Sequence, residues 1–318
     1  MTAPLRVAVI GVGHLGKHHA RILAALPDVE LTGVVDVNAE RAAAVGAEHG
    51  APAFTDWRDV LDRVDAVAVA VPTEAHVDVA LPFLERGIAA LVEKPLAPTL
   101  AEADRLVEAA RARGVVLAAG HTERFNPAVV AARPYLRDPR FIEVHRLGTF
   151  PDRSLDIDVV FDLMIHDLDL VMTLVGDEVV SIDAAGVPVL TNRIDIANAR
   201  LRFKGGAIAN LTASRISRER VRKIRCFQQA AYVSIDYASQ EVEVWRLVRS
   251  AGGAPSIEGG KLEVPRDEPL KRELEDFVAA VRDARPPAVP GEDGRAALAL
   301  AAEIVEQMKH GQPSHRAD

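Results

Sequence analysis

The stretch LRVAVIGVGHLG at residues 5–16 restricts the fold more than any other part of the chain. An apolar run rich in β-branched residues (5–10) stops at Gly11-Val12-Gly13-His14-Leu15-Gly16, and helical apolar spacing follows at once through Leu15, Ile22, Leu23 and Leu26. Each glycine of a strand–GxGxxG–helix unit has its own task. The first permits a tight turn, the second lets a pyrophosphate approach bare backbone, and the third lets helix and strand pack closely. The helix N-terminus then offers unpaired N–H groups and positive dipole to phosphate. A second apolar strand, 29–35, ends in Asp36, about twenty residues past the last glycine, where a ribose 2′-OH calls for a carboxylate. Glycine spacing alone also fits turns in other α/β proteins. The flanking strand, helix and acid together favour a dinucleotide.

The α/β alternation continues to residue 120. Helices are expected at 39–49, 56–63, 76–86 and 99–113, and strands at 52–54, 65–71, 88–92 and 115–119. The run DAVAVAV at 65–71 has no polar alternation, as expected of a parallel strand buried on both faces. Thr99 and Glu102 form a capping box, with Gly114 beyond the helix end. These features predict one doubly wound parallel sheet, a dinucleotide-binding domain at 1–120. After Gly120 the texture changes. Residues 141–150 and 178–249 read as strands, with Lys204-Gly205-Gly206 as a hairpin turn and one long helix at 158–174. Residues 250–260 read as a surface loop, and helices are expected at 270–285 and 294–309. The second domain, 121–318, is therefore expected to be α+β with a large open, mostly antiparallel sheet. Its last helices are free to pack back on the first domain.

Bulk properties narrow the function classes. A net charge of −8 over 318 residues suggests no broad basic face for nucleic acid, so any anionic ligand needs local arginines. One cysteine, Cys226, excludes an internal disulfide and fits a reducing compartment. An N-terminus that enters a strand within five residues, with no membrane-length apolar run, leads us to expect a soluble cytoplasmic protein. No zinc-like cluster, GxSxG or P-loop is present, and no metal is expected.

Ligands of open α/β sheets bind beyond the carboxyl ends of the strands. Asp36, Thr73 with His76, Glu93-Lys94-Pro95 and the segment 121–126 all follow strand ends. Lys94 could reach both a nicotinamide and its substrate, and desolvation would bring it towards proton transfer at working pH; a snorkelling surface lysine is the alternative. On the helix at 158–174, Asp158, Asp162, His166, Asp169 and Thr173 share one narrow stripe at 100° per residue. Nearly all its other residues, Asp167 apart, are apolar, so the stripe must line a wet cleft or find partners. Asp162 and His166 are i, i+4 neighbours, a carboxylate–imidazole couple suited either to general base catalysis or to a structural core pair. His18 and His19 have no evident task. Arginines across 215–225 fit a solvated face and fit charge for a phosphorylated substrate equally well.

Taken together, GVGHLG, VVDVNAER (34–41), VPTEAH (71–76), EKP (93–95), ERFNP (123–127) and DLMIHD (162–167) resemble the Gfo/Idh/MocA oxidoreductase family over most of the chain. The resemblance implies a Rossmann domain plus an α/β domain whose open sheet often serves subunit association, here as a homodimer or homotetramer. It also implies a nicotinamide cofactor and sugar or polyol substrates. By the same resemblance Lys94, Asp162 and His166 are catalytic. Gly11, Gly13, His14, Leu15, Gly16, Asp36, Thr73, His76, Glu93 and Pro95 face the cofactor. Lys94, Arg124, Asn126 and His166 meet substrate. The family often has glycine where Met164 stands, so the helix is bulkier there. GHTERFNPAV (120–129) and SRIS…RKIRCFQ…YVSIDY (214–237) are similar to the UDP-N-acetylglucosamine 3-dehydrogenase branch, which oxidises the C3 hydroxyl before a PLP aminotransferase acts on the route to lipid A. Another UDP-sugar, a free sugar or inositol is the alternative substrate. Asp36 favours NAD over NADP, because its charge repels a 2′-phosphate and no arginine follows at once. A non-catalytic dinucleotide-binding regulator would have lost the lysine or the D-x-x-x-H; both are present.

Overall fold

The computed structural model describes residues 3–150, 157–249 and 254–311. The chain forms two compact units, Met1–Thr122 with Glu268–Leu298, and Glu123–Asp267 with Ala299–Asp318.

In the first unit β1 (Leu5–Ile10), α1 (Gly16–Ala25), β2 (Val29–Val35), α2 (Ala39–His49), β3 (Ala53–Phe54), β4 (Ala66–Val69), α3 (His76–Glu85), β5 (Ala89–Glu93), α4 (Leu100–Arg113) and β6 (Leu117–Gly120) alternate as expected. The segment expected as a helix at 56–63 contracts to a 3₁₀ turn, Trp57–Val60, capped by the Asp56 carboxylate. The sheet is wholly parallel, in the order β3-β2-β1-β4-β5-β6. The order reverses direction at β1, which places a crevice beyond the strand ends at the β1–β4 junction. β4 and β5 are buried at every position, which accounts for their unbroken apolar sequence. The Thr99 hydroxyl accepts the Glu102 N–H and donates to the Glu102 carboxylate at 2.7 Å, closing the capping box.

In the second unit α5 (Pro127–Ala132), β7 (Pro139–Leu147), a π turn (Val160–Met164) and α6 (Ile165–Val175) precede β8 (Val179–Val187), β9 (Ile196–Phe203), β10 (Ile208–Ser214), β11 (Val221–Gln228), β12 (Ala231–Asp236), β13 (Glu241–Val248) and β14 (Ser256–Lys261). The sheet order is β14-β13-β12-β11-β7-β10-β9-β8, antiparallel except for β7 with β10. One face carries the buried Ile142, Val144, Leu201, Leu211, Ile224 and Val233. On the other, the rings of Phe141, Phe227 and Tyr232 form a row with centroids 5.7 and 5.1 Å apart. No helix among the described residues is long and apolar enough to cross a membrane.

Two elements of the second unit also differ from expectation. Of the loop expected at 250–260, residues 256–261 instead form the edge strand β14, while 250–253 lie outside the described residues. The glycines read as loop residues serve the strand. Gly259 holds φ at +147°, and a Cβ there would strike the carbonyl of Val244. The helix expected from residue 158 opens as a π turn, so uniform 100° stepping fails over its first residues.

Glu268–Leu298 groups with the first unit and contains α7 (Pro269–Arg282) and the start of α8 (Gly291–Gly311). Leu274, Phe277 and Val278 share a buried cluster with Val7, Val9 and Leu23. The Arg282 guanidinium donates to the Asp28 carbonyl at 2.9 Å.

Candidate active site

In the first unit the glycine loop shows the three tasks assigned to it. Gly11 has φ +86°, and a Cβ there would sit 2.8 Å from the Ala70 backbone. A Cβ on Gly16 would collide with the Gly11 carbonyl. At Gly13 a Cβ would meet only the Arg41 guanidinium, at 3.9 Å, so the backbone lies open to a ligand. No side chain caps α1 at Leu15, which leaves its first N–H groups for phosphate. This cradle fits a dinucleotide. The His14 ring stands edge-on to His18 at 6.3 Å.

Asp36 is buried and accepts the Val12 N–H at 3.1 Å and the Asn38 N–H at 2.9 Å, which ties the end of β2 to the glycine loop. No arginine follows Asp36 at once, but Arg41, in the first turn of α2, reaches it, with Nη1 3.2 Å from the carboxylate. Asn38 caps α2 by accepting the Arg41 N–H, and the first turn of the helix carries the guanidinium back to Asp36. Part of the negative charge invoked against a 2′-phosphate is therefore neutralised.

Thr73 opens the turn before α3. His76 is buried, with Nδ1 3.0 Å from the Pro95 carbonyl and Nε2 3.0 Å from the Val71 carbonyl. Burial lowers its pKa despite those carbonyls, so it is neutral at pH 7 and buttresses two strand ends. Glu93 ends β5, with its carboxylate 2.9 Å from His19 Nε2. Burial opposes its ionisation, but the hydrogen bond and charge of His19 and the charge of Lys94 outweigh burial and lower its pKa. Gly120 makes room for that carboxylate, since a Cβ there would lie 2.8 Å from Oε2. Lys94 is half-buried, and its N–H donates to Glu93 at 3.3 Å. The sequence reading missed His19; its spacing after Gly16 gives no hint of a partner on β5.

In the second unit two buried ion pairs fix the helical segment that carries Asp162 and His166. Arg146 on β7 grips Asp167 at 2.7 and 2.9 Å and reaches Glu123 at 3.1 Å. Burial disfavours its charge, yet Asp167 and Glu123 prevail and raise its pKa, so it stays a cation. Arg124 grips Asp169 at 2.7 and 2.6 Å. The expected stripe thus divides. Asp169 is satisfied by Arg124, Asp158 accepts the Ile194 N–H at 2.9 Å, and Thr173 donates to the Asp169 carbonyl at 2.8 Å. Asp162 lines a cleft, and His166 is half-buried. Asp167, the exception to the sequence pattern, is nearly inaccessible and anchors the segment. Met164, standing where the family often has glycine, is wholly buried within the π turn.

Of the four residues expected near substrate, Arg124 has its guanidinium engaged by Asp169. Asn126 is buried, caps α5 by accepting the Ala128 N–H at 3.1 Å, and donates to the Tyr237 carbonyl at 3.1 Å. Neither partner lies close in sequence, except for the cap, which the pair Asn126-Pro127 could have signalled.

The glycine cradle, the acid at the end of β2 and the lysine at the end of β5 define a nicotinamide-dependent oxidoreductase. Residues 5–121 match the family described as "Oxidoreductase family, NAD-binding Rossmann fold", and residues 129–233 match the GFO/IDH/MocA C-terminal domain. The chain belongs to the GFO/IDH/MocA oxidoreductase family. It is similar to the UDP-N-acetylglucosamine 3-dehydrogenase of Acidithiobacillus ferrooxidans, with 42% identity over 94% of this chain and 96% of that protein. A solved structure of that dehydrogenase superposes with a TM-score of 0.91 at 40% identity, covering 97% of this chain and 99% of the other. The myo-inositol 2-dehydrogenase of Thermotoga maritima is 28% identical over 93% of this chain and 94% of its own.

Proposed function

We propose that this protein oxidises the C3 hydroxyl of UDP-N-acetylglucosamine to the 3-keto sugar with NAD as acceptor. The observation that carries this reading is 42% identity, across nearly the whole of both chains, to a dehydrogenase of that name. Lys94 and the Asp162/His166 couple, the groups on which the chemistry depends, are all present.

The loop Gly11–Gly16, Asp36, Thr73, His76, Glu93 and Pro95 hold the dinucleotide. Held there, a nicotinamide would supply the acceptor for the hydride of the substrate carbinol carbon. His166 or Lys94 removes the hydroxyl proton, and the other of the two stabilises the developing negative charge on oxygen. Asp162 orients the imidazole. Arg146 and Arg124, through Asp167 and Asp169, keep the helix that bears His166 from shifting. The 3-keto product is the kind of carbonyl that a PLP aminotransferase converts to an amine. The reading therefore includes a cytoplasmic step on the way to the diamino sugar of lipid A. It also includes a homodimer or homotetramer joined through the open sheet face, where an aromatic row stands unpartnered in the single chain.

The test is absorbance of reduced nicotinamide with NAD and UDP-N-acetylglucosamine, with glutamate and an aminotransferase trapping a product whose formation is uphill. We expect signal with the nucleotide sugar and none with free N-acetylglucosamine or myo-inositol. Signal with the free polyols alone would transfer the enzyme to the inositol dehydrogenases of its family.

A further inference from the structure

Three of the five arginines at 215–225, Arg215, Arg220 and Arg222, line one cleft, and they are of two kinds. Arg215 is buried and donates to the carbonyls of Ile157 and Ile194, with Nε 3.7 Å from Asp195. It holds the connection between β10 and β11 and is structural. Arg220 and Arg222 are solvent-accessible and have no ion-pair partner among the described residues. In the register of β7 with β11, Arg222 stands directly opposite Arg146. Like charges facing each other across strands destabilise a sheet. Asp167 and Glu123 bind Arg146 directly and act on Arg222 only through their charge. Partial desolvation and repulsion from Arg146 and Arg220 accordingly lower the Arg222 pKa.

These side chains converge on one space. A cleft of about 310 Å³ is lined by Arg146, Arg215, Arg220 and Arg222 on one side, and by Asp162 and Leu163 of the π turn on the other. Its floor is fixed. The Gly148 N–H donates to the Ser214 carbonyl at 2.8 Å, and the Ser217 N–H donates to the Gly148 carbonyl at 2.9 Å, pinning the arginine-bearing connection to the end of β7. In a protein of net charge −8, two guanidinium groups with no ion-pair partner among the described residues, set in one cleft beside a candidate catalytic carboxylate, suit a ligand with two negative charges. A sugar nucleotide brings that number on its diphosphate. The dinucleotide's own pyrophosphate has its seat on the glycine loop of the first unit.

We infer that Arg220 and Arg222 bind the diphosphate of the substrate, and that this contact, rather than the sugar ring, selects nucleotide sugars over free polyols. The inference rests on the substrate reading above and adds its means of recognition. Titration calorimetry on the full chain tests it, with UDP, inorganic pyrophosphate and NAD as separate probes against wild type, Arg220→Gln, Arg222→Gln, the double variant and Arg222→Lys. Each glutamine should weaken UDP about tenfold and the pair about a hundredfold, lysine should keep part of the affinity, and pyrophosphate should compete with UDP, as for charge-assisted contacts. NAD affinity should stay within about twofold, which also reports an intact fold. The inference is overturned if the double variant binds UDP as tightly as wild type, if wild type binds no UDP, or if NAD rather than UDP weakens. Turnover separates this inference from the reading beneath it. Protein that binds UDP through these arginines without oxidising UDP-N-acetylglucosamine refutes the function and keeps the diphosphate site. Turnover with an unchanged KM in the double variant does the reverse.

Discussion

The two units build their halves of the chemistry from different materials. In the first, function rests on backbone: bare glycines, an uncapped helix start and residues at the ends of parallel strands. In the second, the candidate residues stand among side-chain ion pairs drawn from distant segments, with Arg146 held by Asp167 and Glu123, and Arg124 by Asp169. A backbone site is written locally and survives many changes around it. A charge network is written across distant segments and fails when one member is lost.

Four measurements would sharpen that contrast. The largest effect is expected at the two candidate acid/base groups, one in each unit. Lys94→Ala and His166→Asn should each lower kcat by about 10²–10⁴ with NAD affinity retained, as for loss of an acid/base group; full activity in both variants would remove them from the mechanism. Next comes Asp167→Asn, which leaves the buried Arg146 without its bidentate partner. Denaturant unfolding should show a loss of about 3–5 kcal/mol, and an apolar replacement of both residues should recover much of it. A cost that persists in the double replacement would show that packing, not charge, sets the stability here.

Asp195 offers a smaller and pH-dependent effect. Burial disfavours its charge, but the N–H groups of Leu190, Val189 and Thr191 and the Thr191 hydroxyl prevail and bring its pKa down to about 2. A carboxylate depressed on folding stabilises the fold above its unfolded pKa and loses that contribution as pH falls through the folded one. Melting followed from pH 5 to pH 2 should therefore show a slope that Asp195→Asn flattens, with roughly 2 kcal/mol lost at neutral pH. Parallel slopes would rule out this carboxylate as the source. The smallest effect belongs to the first unit, where Thr99→Ala should cost about 1 kcal/mol through loss of the cap on α4; a larger loss would mean that this unit, too, depends on side-chain partners.

The same division explains what could be read from sequence. Caps, glycines and apolar runs are short-range signals, and α2, at residues 39–49, and the Thr99 capping box lie where those signals put them. The partners of Glu93, Asp169 and Asp36 were not legible, because His19, Arg124 and Arg41 reach them only through the fold. Local rules misled at two places. Glycine at 259–260 meant a strand edge with unusual φ rather than a loop, and apolar spacing from residue 158 could not distinguish a π turn from an α turn. Among candidate site residues, the glycine loop shows the geometry its pattern demanded. The substrate-side expectation for Asn126 came from resemblance, and the structure gives that amide a capping role.

The π turn bears on how such an enzyme can be altered. Over Val160–Met164 the chain carries more residues per turn than an α-helix, as if one residue had been added to a regular coil. Deleting Leu163 would restore regular winding and rotate everything before it, Asp162 included, by about 100° around the axis. His166 and the clamped Asp167 and Asp169 would keep their bearings. The surplus residue therefore sets the angle between carboxylate and imidazole, and a change of one in chain length would re-aim the acid at the cost of turning the buried Val159 and Val160 out of their places.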